Sequence, residues 1–231
     1  MENNTTLKTI AYARNGHTDK FGIPRQSRDE SPIVTRIVFE PDYSVAEALR
    51  GIEEFSHLWL IWGFSANEGW SPTVRPPRLG GNKRMGVFAT RSPFRPNPLG
   101  LSSVRLLKVV KEGGRLELLV SGADLLDGTP IYDIKPYLSF SDSHEDAKNG
   151  FAEDAKDYAL EVIGLPSPPS CLREDQHSIP REVIEDISYI LSQDPRPGYQ
   201  DDPDREYKLD YAGYTVTFVV RGSQVIVRDI S

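Results

Sequence analysis

Residues 72–115 carry ten basic side chains, Arg75, Arg78, Lys83, Arg84, Arg91, Arg95, Arg105, Lys108, Lys111 and Arg115, against one acid, Glu112. Inside that stretch, residues 91–100 (RSPFRPNPLG) hold three prolines. Proline has a fixed φ and no amide donor, so this segment is neither regular helix nor central strand. A stiff cationic loop is therefore written into the middle of the chain. The formal charge is +9 over residues 72–115, −3 over residues 1–71 and −13 over residues 116–231, giving −7 in all. Charges beyond about 8–10 Å are screened, so the local band outweighs the acidic remainder and is aimed at a polyanion or an anionic cofactor. Seven of the ten are arginines, whose planar fork suits phosphate and carboxylate. A solvated basic face is the competing reading of such a run. The prolines and glycines favour a site, because a stiff loop loses less entropy when it grips a ligand.

Around that loop the pattern is of short strands. Residues 7–13 and 33–39 read as strands, the second with Ile33, Thr35, Ile37 and Phe39 alternating with Val34, Arg36 and Val38. Ser44 followed three residues later by Glu47 is a capping-box pattern opening a short helix to about Arg50. Residues 55–62 (FSHLWLIW) read as a buried strand, and Leu116, Leu118 and Val120 mark another that ends at Ser121 and Gly122. Strands and turns without interleaved long helices favour a β-barrel over a doubly wound sheet. The fold class expected is mainly β, with a barrel over residues 1–145, a linker over residues 146–169 and a small α+β unit over residues 170–231. The linker reading rests on an acidic polar run beginning near Ser141 and on LPSPPS. Beyond it, Ser178 is placed to cap a helix whose apolar face is Ile179, Val183, Ile184, Ile187, Ile190 and Leu191, and YTVTFVV–RGSQ–VIVRDI reads as a closing hairpin.

Composition bounds the class. Apolar residues at 38% and aromatics at 10% suffice for a packed core. Cys171 is the one cysteine, so no intrachain disulfide forms. The start MENNTTLKTIAYARNG has no basic stretch followed by an apolar one, and the longest apolar run, residues 58–62, is far too short to span a bilayer. The expectation is a soluble, cytoplasmic protein. The sequence has no G-x-G-x-x-G after a strand, no P-loop, no H-E-x-x-H and no cysteine pair, and the four histidines are scattered, so no metal site is expected.

Four segments look built for a site: Pro24-Arg25-Gln26 after Gly22; the 91–100 loop; the acids Asp124 and Asp127 beside the Gly128 turn; and Asp133 with Lys135, two residues apart on one side of an extended segment. Asp124 and Asp127 serve equally as turn formers, and Asp133 with Lys135 equally as a surface pair. Trp59, Trp62 and Trp70 read as core and rim packing. Pattern alone thus reaches a barrel with an arginine-rich loop site for an anionic or nucleotide-like ligand.

Taken together, PRQ, FSHLWLIW, WSPTVRPPRLGGNKRMGVFATRSPFRPNPLGLS, DLLDGTPIYDIKPYLSF and DPRPGY resemble the TsaA-like (YaeB/TsaA-like) family, whose characterised bacterial members are TrmO-type tRNA methyltransferases. The resemblance is strong over residues 7–142. It implies a β-barrel enzyme, not the common Rossmann-type methyltransferase, that uses S-adenosyl-L-methionine as a homodimer. The implied reaction methylates N6 of N6-threonylcarbamoyladenosine at position 37, beside the anticodon of threonine tRNA. The cofactor contacts it implies are Pro24, Arg25, Gln26, Arg91, Leu101, Ala123, Asp124, Leu125 and Leu126. Where the family often carries His-Gln after the FSHLW strand, this chain has Ser65 and Ala66. Neither replaces an imidazole or an amide except through backbone. Candidate bases, or groups orienting the threonylcarbamoyl arm, are Asp127, Asp133 and Lys135, with burial needed to make lysine a base. Arg75, Arg78, Lys83, Arg84 and Arg95 are the expected RNA contacts. Two alternatives stay open: an S-adenosylmethionine enzyme with another acceptor, and a non-catalytic RNA-binding protein.

Overall fold

The computed structural model describes residues 6–24, 26–27, 31–65, 67, 69–76, 83–153, 159–166, 179–196 and 202–231. Strands β1 (Ala11–Arg14), β2 (Val34–Phe39), β3 (His57–Gly63), β6 (Leu99–Glu112), β7 (Arg115–Ser121) and β8 (Pro130–Pro136) form a closed barrel in the order β1-β2-β7-β6-β3-β8. Closure follows from β1 pairing antiparallel with both β2 and β8. The period-2 pattern read in the sequence sends Ala11, Ala13, Ile37, Phe39, Leu58, Leu60, Trp62, Val104, Leu118, Val120 and Ile131 inward as one core. Arg36 on the outer face clamps the buried Glu117 of β7 through Nε at 2.7 Å and Nη2 at 2.9 Å.

Several local expectations are corrected. Residues 46–49 form a 3-10 turn, Ala46–Leu49, with no side-chain cap. The Ser44 hydroxyl that was to cap a helix instead accepts the Leu116 amide of β7 at 2.7 Å, a partner distant in sequence. The 91–100 loop stops earlier than expected, because β6 starts at Leu99, directly after Pro98. β6 then runs 14 residues and turns into β7 through Gly113 and Gly114, both at positive φ (57° and 84°), as a tight two-residue hairpin turn requires. A short ribbon of β4 (Thr73–Val74) and β5 (Met85–Gly86) stands before the 3-10 turn Val87–Ala89.

A second sheet, in the order β10-β11-β12-β9, is built from β9 (Glu161–Ile163), β10 (Tyr207–Tyr211), β11 (Tyr214–Arg221) and β12 (Gln224–Ile230). The β11–β12 hairpin matches the expectation. Strand β10 was not foreseen. Nor was β9, which falls in the stretch read as linker and pairs parallel with β12. The helix Arg181–Ser192 buries Ile187, Ile190 and Leu191 on this sheet; Ser178 lies outside the described residues. Asp194 and Arg196 of the DPRPGY motif form a buried ion pair just past the helix, at 2.8 Å and 3.0 Å.

The connection from β1 to β2 leaves the barrel and packs on this second sheet. Ile33 belongs to the second core. Gly16 lies so close beneath the Tyr211 ring that a Cβ would stand 2.6 Å from it, and the Ala212 amide donates to the Gly16 carbonyl at 2.8 Å. Gly22, at φ 96°, would place a Cβ 2.2 Å from Leu209 Cδ1. His17, 1% exposed, meets Tyr211 edge-on at 5.1 Å.

Candidate active site

The β1–β2 connection, the 91–100 loop, the outer start of β6 and the turn after β7 enclose a cleft of about 460 Å³, within the size range of small-molecule sites. It gathers Pro24, Gln26, Ser65, Arg91, Leu101, Asp124 and Leu126, seven of the residues the sequence singled out. Ala123 and Leu125 are buried in the barrel core, so only their backbone is available to a ligand. Arg25 and Ala66 lie outside the described residues. Trp59, Trp62, Phe64 and Lys20 complete the walls.

Among the described residues Asp124 is the acid that lines this cleft, and its surroundings are built to hold it. Trp62 Nε1 donates to Ser102 Oγ at 2.9 Å, and that hydroxyl donates in turn to Asp124 Oδ1 at 2.5 Å. Burial pushes the Asp124 carboxyl above the usual range, while the Ser102 hydroxyl, its own amide, the Arg91 guanidinium and the Ser27 amide pull it back. Arg91 is steadied by Nη1 donating to Gln26 Oε1. The acid and the arginine thus line one small space together with leucine, proline and aromatic side chains, near enough for the guanidinium to act on the carboxyl. Asn15 sets the acidic turn: its Nδ2 donates to the Leu125 carbonyl at 2.9 Å, and its backbone amide donates to Asp127 Oδ1 at 3.1 Å.

Gly100 permits this arrangement. It pairs with Trp62 across β3 and β6, and a Cβ there would stand 2.2 Å from the indole. Sequence reasoning missed Ser102 and Asn15. A signal for Ser102 existed, since strand periodicity turns it inward once Leu101 points out, and they are 1% and 54% exposed.

The three candidate bases do not join the cleft lining. Asp127 is held by the Asn15 amide and by Arg14 at 3.4 Å. Asp133 and Lys135 pair with each other at 3.0 Å on the outer face, opposite Ile61 and Trp59, so Lys135 lacks the burial that work as a base needs in the single chain. Of the expected RNA contacts, Arg75 and Arg84 line a groove adjoining the cleft and Lys83 is exposed, while Arg78 lies outside the described residues. Arg95 is placed differently. It lines the cofactor-sized cleft, with Nη1 donating to the Val87 and Thr90 carbonyls at 3.1 Å and 2.7 Å.

A closed β-barrel with a mixed apolar and charged cleft at its loops defines a ligand-binding barrel of the non-Rossmann kind. Residues 12–143 match the family described as tRNA-methyltransferase O N-terminal domain, and residues 156–231 match the TrmO C-terminal domain. The chain belongs to the tRNA-methyltransferase O family. It is 45% identical over 185 residues to a tRNA (adenine(37)-N6)-methyltransferase of Eikenella corrodens, covering 76% of this chain and 97% of that one. It is 42% identical to the protein of the same name from Escherichia coli K12, over 84% of this chain and 83% of the relative. Among solved structures, TrmO from Pseudomonas aeruginosa aligns with a TM-score of 0.76 at 32% identity, covering 99% of this chain and 98% of that one. Among the described residues, no helix is long and apolar enough to cross a membrane.

Proposed function

We propose that this protein is an S-adenosylmethionine-dependent methyltransferase acting on N6 of adenosine 37 in tRNA. The observation that carries the reading is that a half-buried acid, Asp124, and a steadied arginine, Arg91, line one cleft of mixed polar and apolar surface in a chain of this family. That donor set fits the cofactor. Arg91 would take the methionine carboxylate, Asp124 and nearby carbonyls would face its cationic groups, and Leu101, Leu126 and Pro24 would cover its apolar surface. When bound, the cofactor supplies a methyl group on a sulfonium, whose bonding pair stays with sulfur when N6 takes the methyl group. What the chain contributes is chiefly alignment, since an in-line displacement depends on holding donor and acceptor together.

The finer reading is that the acceptor is N6-threonylcarbamoyladenosine of threonine tRNA, presented by the anticodon loop to a homodimer in the cytoplasm. The acceptor nitrogen must release a proton, and Asp127, Asp133 and Lys135 are the proposed recipients. Standing outside the cleft in the single chain, any of them needs the RNA or the second subunit to bring the acceptor within reach. The division into a catalytic barrel, a connecting segment and a small carboxy-terminal unit is part of this reading. The test is transfer of labelled methyl to threonine tRNA with and without its threonylcarbamoyl group, followed by nucleoside mass spectrometry. Methylation confined to the threonylcarbamoylated tRNA is expected. Cofactor binding without transfer to either form would overturn the acceptor assignment.

A further inference from the structure

The cofactor-sized cleft continues into a larger groove of about 1280 Å³, and Gln26, Thr90, Arg91 and Pro93 line both. Arg75 and Arg84 from the β4–β5 ribbon region line this groove, as does Phe151 from the 3-10 turn Gly150–Ala152 that follows the barrel. Phe88 and Phe94 line it too. Among the described residues no acid lines this groove, although the chain carries 34 acids and a net charge of −7. Arg84 is braced on Thr73, with Nε to Oγ1 at 2.8 Å, and Arg75 has no ion-pair partner among the described residues.

Phe88 is 73% exposed, so folding gains little from it. Its ring is nonetheless fixed in place. The Arg95 guanidinium sits 5.6 Å from the ring centroid, and the same guanidinium is tied to the carbonyls of Val87 and Thr90 on either side. One face of an otherwise exposed ring is thus backed by a cation, and the rest faces the groove.

We propose that this groove takes the unpaired nucleotides flanking the acceptor adenosine, with Phe88 as the platform on which a flanking base stacks. Arg95 is a positioning residue that holds the platform, and Arg75 and Arg84 meet the neighbouring phosphates. This rests on the tRNA reading above. Aromatic rings and arginines lining one groove are the chemistry of single-stranded RNA binding, and stacking accepts any base, so the groove supplies affinity and alignment while the cleft supplies identity.

The experiment measures binding of a fluorescently labelled threonine-tRNA anticodon stem-loop to the full-length protein, alongside cofactor affinity and methyl transfer. Phe88→Leu keeps an apolar side chain and removes the π face. It should weaken RNA binding about 5- to 150-fold with cofactor affinity unchanged, while Phe88→Tyr should restore it. Arg95→Met should weaken RNA binding in the wild-type background and add nothing to Phe88→Leu, the signature of one residue acting through another. Arg75→Ala should flatten the dependence of log affinity on log salt by about 0.7. Wild-type protein that methylates tRNA while Phe88→Leu binds the stem-loop equally well overturns the groove alone. Additive effects of Arg95→Met and Phe88→Leu overturn the positioning role. Wild-type protein that binds the stem-loop through Phe88 yet transfers no methyl group leaves the groove standing and overturns the function.

Discussion

Replacing His17 with phenylalanine should remove a pH dependence from the stability of the fold. His17 is 1% exposed, and its Nε2 is buried without a hydrogen-bond partner. Burial lowers its pKa from 6.5 to about 4. Above pH 6.5 the ring is neutral in both folded and unfolded chains, and it causes no penalty. As pH falls through 6.5 the unfolded chain takes up a proton that the folded chain refuses until about pH 4, so stability drops across that window and levels below it. At about 1.4 kcal/mol per pH unit, the loss attributable to His17 is about 3 kcal/mol. Asp186 works in the opposite sense. Burial raises its carboxyl despite the bond from the Tyr211 hydroxyl at 2.6 Å, so it favours the folded state as pH falls. It is present in both proteins, and the difference between them isolates His17. Phenylalanine fills similar space edge-on to Tyr211 and leaves no unpaired nitrogen, so the variant should be close to wild type near neutrality. Urea unfolding curves at about pH 7.5 and about pH 4.5 would measure the difference. Parallel loss of stability in the two proteins across that range would refute the argument.

Further outcomes are expected at the cleft and in the second sheet. Ser102→Ala strips Trp62 Nε1 of its acceptor and Asp124 of a donor. It should cost roughly 1–3 kcal/mol in a denaturation curve. Because Asp124 is raised by burial, cofactor affinity measured by titration calorimetry should fall on acidification above the ordinary aspartate range. Ser102→Ala should move that fall to higher pH and Asp124→Asn should abolish it. Gly100→Ala drives a methyl group into the Trp62 ring. It should cost about 1–3 kcal/mol and weaken cofactor binding, read by thermal unfolding with and without cofactor. Ala212 is exposed and holds φ 51°, ahead of Gly213 at φ 85° in the β10–β11 turn. Asparagine tolerates that conformation better, so Ala212→Asn should stabilise by about 0.5–1 kcal/mol in the same unfolding assay.

The barrel was legible wherever strands are half-buried, as in β2, β3 and β7, because alternation reports burial directly. It was less legible where residues answer to distant partners. Ser44 obeys the backbone of β7, so a local capping rule misread it. β10 alternates Tyr207, Leu209 and Tyr211 with polar residues, yet at five residues beside a turn-rich segment its alternation is a short signal. In the cleft, pattern brought forward Pro24, Gln26, Arg91 and Asp124 and the resemblance added Leu101, and the fold gathers all five. Asn15 is a single polar residue that acts through hydrogen bonds to Thr35, Leu125, His17 and Asp127, and no periodicity marks such a residue; for Ser102, alternation gives the inward side but not the partners Trp62 and Asp124. For Asp133 and Lys135, spacing foretold their shared side, and the surface-pair reading matches their ion pair on the outer wall.

The route of the chain between β1 and β2 makes the two sheets depend on each other. Pro24 and Gln26 reach the cleft from a segment whose anchors, Gly16, Gly22 and Ile33, are seated against Tyr211, Leu209 and the second core. The pocket wall is therefore a borrowed surface: its mould is cast by residues nearly two hundred positions downstream. Deleting the carboxy-terminal sheet would do more than shorten the molecule, since it would leave part of the cleft without a backing. A ligand that fixes this wall should in turn tighten the distant sheet, and amide exchange in β10 would register occupancy of the pocket.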